Sequence, residues 1–308
     1  MGSLDDTVEF EYAPDSVILR RAPWQRAKLR LDAAGLSHQG HVRSNNEDHF
    51  AIASFGRSLE LTQSNLPPDD TPTRHDLAGQ ALLVTDGLGG QAAGETASRA
   101  AINLLFQLVV ETPDWIFRLD DPPLAAEIER RASQRMDQIS QTMTQQADAD
   151  PHLRGFGTTL TMAWGVGSQW IVAHVGDSRA YLCRQGELKQ LTHDHTVAQA
   201  LADAGMIKQT DVRFHRMRNR LTQLLGDDVR HVTPQIEHLV VQPGDSVLLC
   251  TDGLTDMLPD SLIAGLLAEA TSAAECCLRL ITAALDAGGK DNVTAIVGRF
   301  AADQSCKS

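Results

Sequence analysis

Two seven-residue stretches nearly repeat one another: Leu82-Leu83-Val84-Thr85-Asp86-Gly87-Leu88 and Leu248-Leu249-Cys250-Thr251-Asp252-Gly253-Leu254 differ at a single position. Each is an apolar run that delivers an aspartate followed by glycine. A lone Asp-Gly is ordinarily a turn. Two copies at the ends of two buried strands can instead bring two carboxylates side by side at one edge of a packed sheet structure. Like charges held there repel unless cations hold them, so a metal site is the economical reading. Carboxylate, carbonyl and water oxygens are hard ligands that suit Mg²⁺ or Mn²⁺, whereas zinc sites lean on His and Cys. Further oxygens stand in loops or beside glycine: Glu47 and Asp48, Asp177 in Gly176-Asp177-Ser178-Arg179, Asp256, and Asp291 in Gly289-Lys290-Asp291-Asn292. Any one of them reads as a cap or turn residue. Together they supply enough oxygens for two metals.

The elements that must position these groups follow from periodicity and punctuation. Residues 81–84 and 246–250 read as buried strands. Two short strands within 36–54 flank the charged loop Arg43-Ser44-Asn45-Asn46-Glu47-Asp48, and Pro67, Pro68 and Pro72 make 56–79 a surface loop. Apolar residues at helical spacing mark 95–110, 124–147 (after Pro122 and Pro123), about 260–270 and 272–287. Strand-like runs cover 158–164, 170–175, 179–183 and 293–300. Trp164 and Trp170 flank a turn and should pack in or beside the core. Strands in runs and helices in pairs argue for an α+β fold rather than a doubly wound sheet. Residues 1–32, with Trp24 as their large anchor, read as an extension; 33–301 form one domain with a flap-like excursion at about 195–230, and 302–308 form a tail.

Composition bounds the function. The chain has 308 residues, 42% apolar and 22% charged, so it can bury a sizeable core. A net charge of −13 argues against nucleic-acid binding, which depends on clustered Lys and Arg. It is compatible with a phosphorylated substrate captured by local cations. The cysteines (Cys183, Cys250, Cys276, Cys277 and Cys306) are odd in number, match no zinc spacing and predict reduced thiols. No apolar run approaches a membrane span, and Asp6 stands where the myristoylation pattern wants Ser or Thr. A cytoplasmic monomer is expected.

The ordered set Arg43-x-x-Asn46-Glu47-Asp48, Asp86-Gly87-x-Gly89-Gly90, Gly157-Thr158-Thr159, Gly176-Asp177-Ser178-Arg179-Ala180, Leu191-Thr192-x-Asp194-His195, Asp252-Gly253-Leu254 and Asp291-Asn292 resembles the PP2C-type (PPM) serine/threonine phosphatases, in their bacterial branch. The resemblance runs from about Ala34 to Phe300. It implies a four-layer αββα fold, with two mainly antiparallel sheets packed face to face and flanked by helix pairs. It implies two Mn²⁺ or Mg²⁺ ions: Asp86 bridging them, with the Gly87 carbonyl contributing, Asp252 and Asp291 binding one, and Glu47 and Asp48 supporting the other. Asp177 and Asp256 match positions that hold a weaker third metal in bacterial relatives.

The reaction expected from that likeness is hydrolysis of phosphoserine and phosphothreonine in proteins, by attack on phosphorus of a water that bridges the two ions. Arg43 would offer a two-pronged contact to the phosphoryl oxygens. Animal relatives carry a proton-donating His where Leu88 stands, so a metal-bound water, His41 or His49 would have to take that role. Arg213, His215, Arg216, Arg218 and Arg220 form either a solvated basic face or a patch that steers acidic substrates. The natural partner is a phosphoprotein, including a eukaryotic-like serine/threonine kinase. Two other readings stand beside this one: a non-catalytic module that binds phosphoproteins, against which the full carboxylate set argues, and a hydrolase of small phosphoesters.

Overall fold

The computed structural model describes residues 29–60, 74–89, 92–111, 125–153, 155–226 and 232–303. Its elements are β1 (Leu29–His38), β2 (Asp48–Glu60), β3 (Arg74–Leu88), α1 (Ala92–Glu111), α2 (Ala125–Ala149), β4 (Gly157–Thr158), β5 (Leu160–Val166), β6 (Gln169–Val175), β7 (Arg179–Arg184) and β8 (Glu187–Gln190). There follow α3 (Val197–Asp203), a 3₁₀ turn (Gln209–Phe214), β9 (Leu225–Gly226), β10 (Gln235–Val240), β11 (Ser246–Cys250), α4 (Asp252–Thr255), α5 (Asp260–Glu269), α6 (Ala273–Asp286) and β12 (Val293–Ala302).

The strands form two antiparallel sheets. One has five strands in the order β1-β12-β11-β7-β8, and the other seven, in the order β10-β6-β5-β3-β4-β9 with β2 paired to β3. The apolar runs of β3 and β11 are continuous because each strand is covered on both faces. Leu82 and Val84 meet Val247 and Leu249 between the sheets, and Trp170 packs there edge-on against Phe300. Leu83 turns the other way, to a core with Ala97, Ala101 and Leu105 of α1 and Ile128, Met136 and Ile139 of α2. Leu248 and Cys250 face Ile263 and Leu267 of α5 and Cys277, Leu280 and Ile281 of α6. The three- and four-residue spacing of these helical residues and its multiples form the stripe that such packing requires. The result is helices, sheet, sheet, helices, as the α+β reading expects. Cys183, Cys250, Cys276 and Cys277 are free and buried; Cys306 lies outside the described residues.

Several boundaries differ from the sequence reading. β1 begins at Leu29, which pairs with Ala302 of β12, so residues 29–32 belong to the sheet rather than to an extension. The β2–β3 ladder reaches Glu60 and Arg74, well inside the stretch expected to be loop; residues 61–73, with the prolines, and Trp24 lie outside the described residues. β10 carries no strong apolar signal, since Gln235-Ile236-Glu237-His238 is an edge strand held by β6. The excursion at 195–226 is ordered by its stem, where Thr196 bridges Leu221 and the Val197 N–H donates to the Arg220 carbonyl at 2.8 Å.

Candidate metal centre

The two near-identical heptads fold differently past their shared threonine. In β11 the strand stops at Cys250 and Asp252 opens the short helix α4. In β3 the strand continues through Asp86, because Gly87 and Leu88 pair with Thr158 and Gly157 of β4. A tertiary partner, not local sequence, sets the difference. The outcome is still one carboxylate from each sheet: oxygens of Asp86, Asp252 and Asp177 lie within 4.8 Å of one another.

Asp177 enters from the turn between β6 and β7. Gly176 precedes it at φ +114°, and a Cβ there would meet Thr159 Cγ2 at 2.5 Å, so glycine is required. Asp86 is held through its backbone: its N–H donates to Thr159 Oγ1 at 2.9 Å, and its carbonyl accepts from Thr158 Oγ1 at 2.8 Å and from the Thr159 N–H at 2.9 Å.

Asp48 faces Asp86 across the β2–β3 register. One oxygen of the buried Asp48 accepts from Thr251 Oγ1 at 2.8 Å and Thr294 Oγ1 at 2.7 Å; the other, also buried, has no partner. A buried carboxylate oxygen left bare is costly unless a cation or water completes it. Burial pushes Asp48 up to about 7, against the pull of its two threonine bonds, and pushes Asp177 up to about 7, with Asp194 adding to the effect. Asp86 and Asp252 are raised well above the usual carboxylate range, by burial first and then by the other carboxylates. Groups that resist ionisation together until positive charge arrives, with an all-oxygen donor set, fit divalent cations such as Mn²⁺ or Mg²⁺.

The Arg43–Asp48 loop is pinned to the start of β12. Asn292 donates through Nδ2 to the carbonyls of Gln39 (2.9 Å) and Asn45 (2.7 Å), and its Oδ1 accepts from the Glu47 N–H at 2.8 Å. Arg43 Nη2 then reaches Asp291 Oδ2 at 2.6 Å on the exposed side. Glu47 lies over α1, where a Cβ on Gly94 would sit 2.6 Å from Glu47 Oε2; Gly94 leaves room for that carboxylate. Asp256, from the turn after α4, is engaged by Arg218 Nη2 at 2.8 Å rather than joined to the three-carboxylate group.

Of the two histidines weighed as proton donors, one faces away from the acidic group and the other is exposed on the surface. His49 follows Asp48 in β2 and so points to the opposite face, where Nδ1 meets Ser98 Oγ of α1 at 2.8 Å. His41 lies on the surface, with its N–H on the Gly289 carbonyl at 2.7 Å and its ring edge-on to His38. Leu88 is partly exposed at the end of β3. Of the basic residues at 213–220, Arg213 lies over the exposed Phe214 ring. With Arg218, that ring lines an open cavity of about 670 Å³ that also reaches Asp177, Asp252 and Asp256.

Sequence reasoning assigned no role to Thr251, Thr294, Thr158, Thr159 or Asn292. The Gly157-Thr158-Thr159 and Asp291-Asn292 motifs contained three of them. The hydroxyls of Thr251 and Thr294 carried no visible signal, because they become ligands of Asp48 only when β11 and β12 pair.

The sequence profile described as protein phosphatase 2C matches residues 60–277. The chain is 34% identical over 275 residues to the serine/threonine protein phosphatase PstP of Mycobacterium tuberculosis, a match covering 88% of this chain and 45% of that protein. It thus spans less than half the length of that relative. It is likewise 34% identical over 261 residues to the serine/threonine phosphatase stp of Listeria welshimeri, covering 84% of this chain and 92% of that one. Among solved structures, the catalytic domain of PstP in complex with two manganese ions superposes with a TM-score of 0.67 at 32% identity, covering 89% of this chain and 99% of that one.

Proposed function

The chain belongs to the protein phosphatase 2C family, and from that premise we propose that it is a metal-dependent phosphatase that hydrolyses phosphoserine and phosphothreonine in proteins. The observation that carries this reading is the meeting of Asp86, Asp177 and Asp252 within 4.8 Å, on elements from both sheets, beside the bare oxygen of Asp48. In the proposed assignment Asp86, with the Gly87 carbonyl, would serve two divalent cations; Asp252 and Asp291 would hold one, and Glu47 and Asp48 would support the other. Asp177, with Asp256, would serve a third. Divalent cations held there would acidify water and neutralise charge on phosphoryl oxygens.

The remaining work belongs to the chain. Arg43 extends from a loop fixed by Asn292, and Asp291 orients its guanidinium while leaving other N–H groups free for a phosphoryl oxygen. The Asp48 carboxylate is oriented by Thr251 and Thr294, and the Asp86 backbone by Thr158 and Thr159, so the acidic centre is preorganised. His49 is turned to Ser98 of α1 rather than to the acidic centre, so solvent at the centre is the proposed proton donor to the leaving oxygen. Arg213 is exposed on the wall of the cleft, where it would attract acidic segments, and Arg216 is exposed on the same excursion.

A phosphothreonine removed by this enzyme must have been placed by a serine/threonine kinase, and such a kinase is the proposed opposing partner. Among the described residues no helix is long and apolar enough to cross a membrane. Turnover of a phosphothreonine peptide compared with a small aryl phosphate tests the substrate class. A higher kcat/KM for the peptide is expected; preference for the small ester would move the protein to small-molecule phosphate chemistry, and binding without turnover would make it a phosphoprotein-binding module.

A further inference from the structure

The Leu191-Thr192-His193-Asp194-His195 stretch contributes no ligand to the proposed centre, yet it packs against the turn that carries Asp177. The buried Gly176 has both backbone polar groups satisfied by one residue. Its carbonyl accepts from the His195 N–H at 2.7 Å, and its N–H donates to His195 Nδ1 at 3.2 Å. On the far side of Asp177, Arg179 makes a forked contact with Asp194, Nη2 to Oδ2 at 2.6 Å and Nε to Oδ1 at 2.9 Å. Adjacent residues of one stretch thus hold both ends of the turn.

The same histidine reaches the excursion. Its carbonyl accepts from the Thr222 N–H at 2.8 Å, within the stem closed by the Thr196–Leu221 bridge. Because Nδ1 accepts, the neutral ring carries its proton on Nε2. Its other support is the buried His174, whose ring lies 5.0 Å away at a 32° tilt. His174 Nδ1 meets Thr161 Oγ1 at 2.8 Å, and Thr161 Oγ1 donates to the Ser178 carbonyl at 3.1 Å. The hydroxyl has one proton and spends it on that carbonyl, so His174 is the donor in the other bond. Two histidines therefore brace the backbone immediately before and after Asp177.

We propose that His195 is a positioning residue for Asp177: through Gly176 it sets where that carboxylate stands relative to Asp86 and Asp252, and through Thr222 it ties that placement to the stem of the excursion. The proposal rests on the reading of the acidic cluster as a metal site. Groups that orient a ligand from behind commonly change metal affinity by about 10- to 100-fold when removed. His195→Asn keeps an acceptor at the δ position, whereas His195→Leu keeps bulk and removes it.

The test is hydrogen exchange at the Gly176 amide and calorimetric Mn²⁺ titration, on the full chain and on His195→Leu, His195→Asn and Asp177→Asn. His195→Leu should speed exchange at Gly176 and weaken Mn²⁺ binding by about 10-fold or more, as Asp177→Asn should weaken it, while His195→Asn should stay near native in both. An unchanged Mn²⁺ isotherm in His195→Leu, or an Asn variant as impaired as the Leu variant, overturns the proposal. If His195→Leu does not fold, His195→Gln, which moves the acceptor outward by one bond, replaces it with the same expected loss. Absence of phosphopeptide turnover by the native protein would sink the phosphatase reading and leave these two measurements standing.

Discussion

Asp48 and Asp86 stand opposite each other in the antiparallel register of β2 and β3, so two carboxylates share one face of a buried ladder. Directly opposed like charges destabilise a strand pair. Here they recur with Asp177 and Asp252, and the arrangement makes sense as a receptor for positive charge.

That arrangement gives the chelated protein a distinctive pH dependence. Asp48 and Asp177 are raised to about 7, and burial and neighbouring carboxylates push Asp86 and Asp252 well above the usual carboxylate range, so the folded state binds more protons than the unfolded chain above that range. Their linked stability is complete below that range and is lost as pH rises through the folded values. His49, His174 and His195 are lowered by burial and act in the opposite sense, but only below their ordinary values near 6.5. Between about pH 6.5 and 8, the Tm of the chelated protein should fall by several degrees, and Mn²⁺ should raise Tm more at the upper end. A Tm that is flat or rising across that window contradicts the account.

Arg43 is paired with Asp291 at 2.6 Å, yet its side chain remains more than half exposed. Losing a charged hydrogen-bond donor to a phosphoryl group should lower kcat/KM for a phosphothreonine peptide by about 10- to 100-fold in Arg43→Ala. Arg43→Lys keeps the charge without the fork and should recover part of the loss. Steady-state kinetics decides it; unchanged kcat/KM in Arg43→Ala removes Arg43 from substrate binding.

Asn292 joins three backbone groups of the loop before β2, and it is buried. Asn292→Ala strands two carbonyls and an N–H, which should cost about 2–4 kcal/mol of unfolding free energy in a urea titration. A change below about 1 kcal/mol would mean that water replaces these bonds without penalty.

The αββα layering was legible because β3 and β11 read as buried strands and because α1, α2 and α6 carry apolar stripes. The acidic centre was legible because its aspartates sit beside glycines whose Cβ atoms would collide with neighbouring segments: at Gly253 a Cβ would come 1.9 Å from the Asn292 carbonyl. What stayed hidden depends on pairing between distant segments. The extension of β3 through Asp86 requires β4, the edge strand β10 requires β6, and the threonine clamp on Asp48 requires β11 and β12 together. Asp256 matched its motif, yet its carboxylate is turned to Arg218, a residue whose position depends on the whole 195–226 excursion.

The most direct test of the central claim is hydrolysis of a phosphothreonine peptide with Mn²⁺, with Mg²⁺ and with chelator, by the native protein and by Asp252→Asn. The account predicts metal-dependent turnover that falls to background with chelator and collapses in the variant while its fold persists. Turnover that survives chelation, or an Asp252→Asn enzyme as active as the native one, would contradict it.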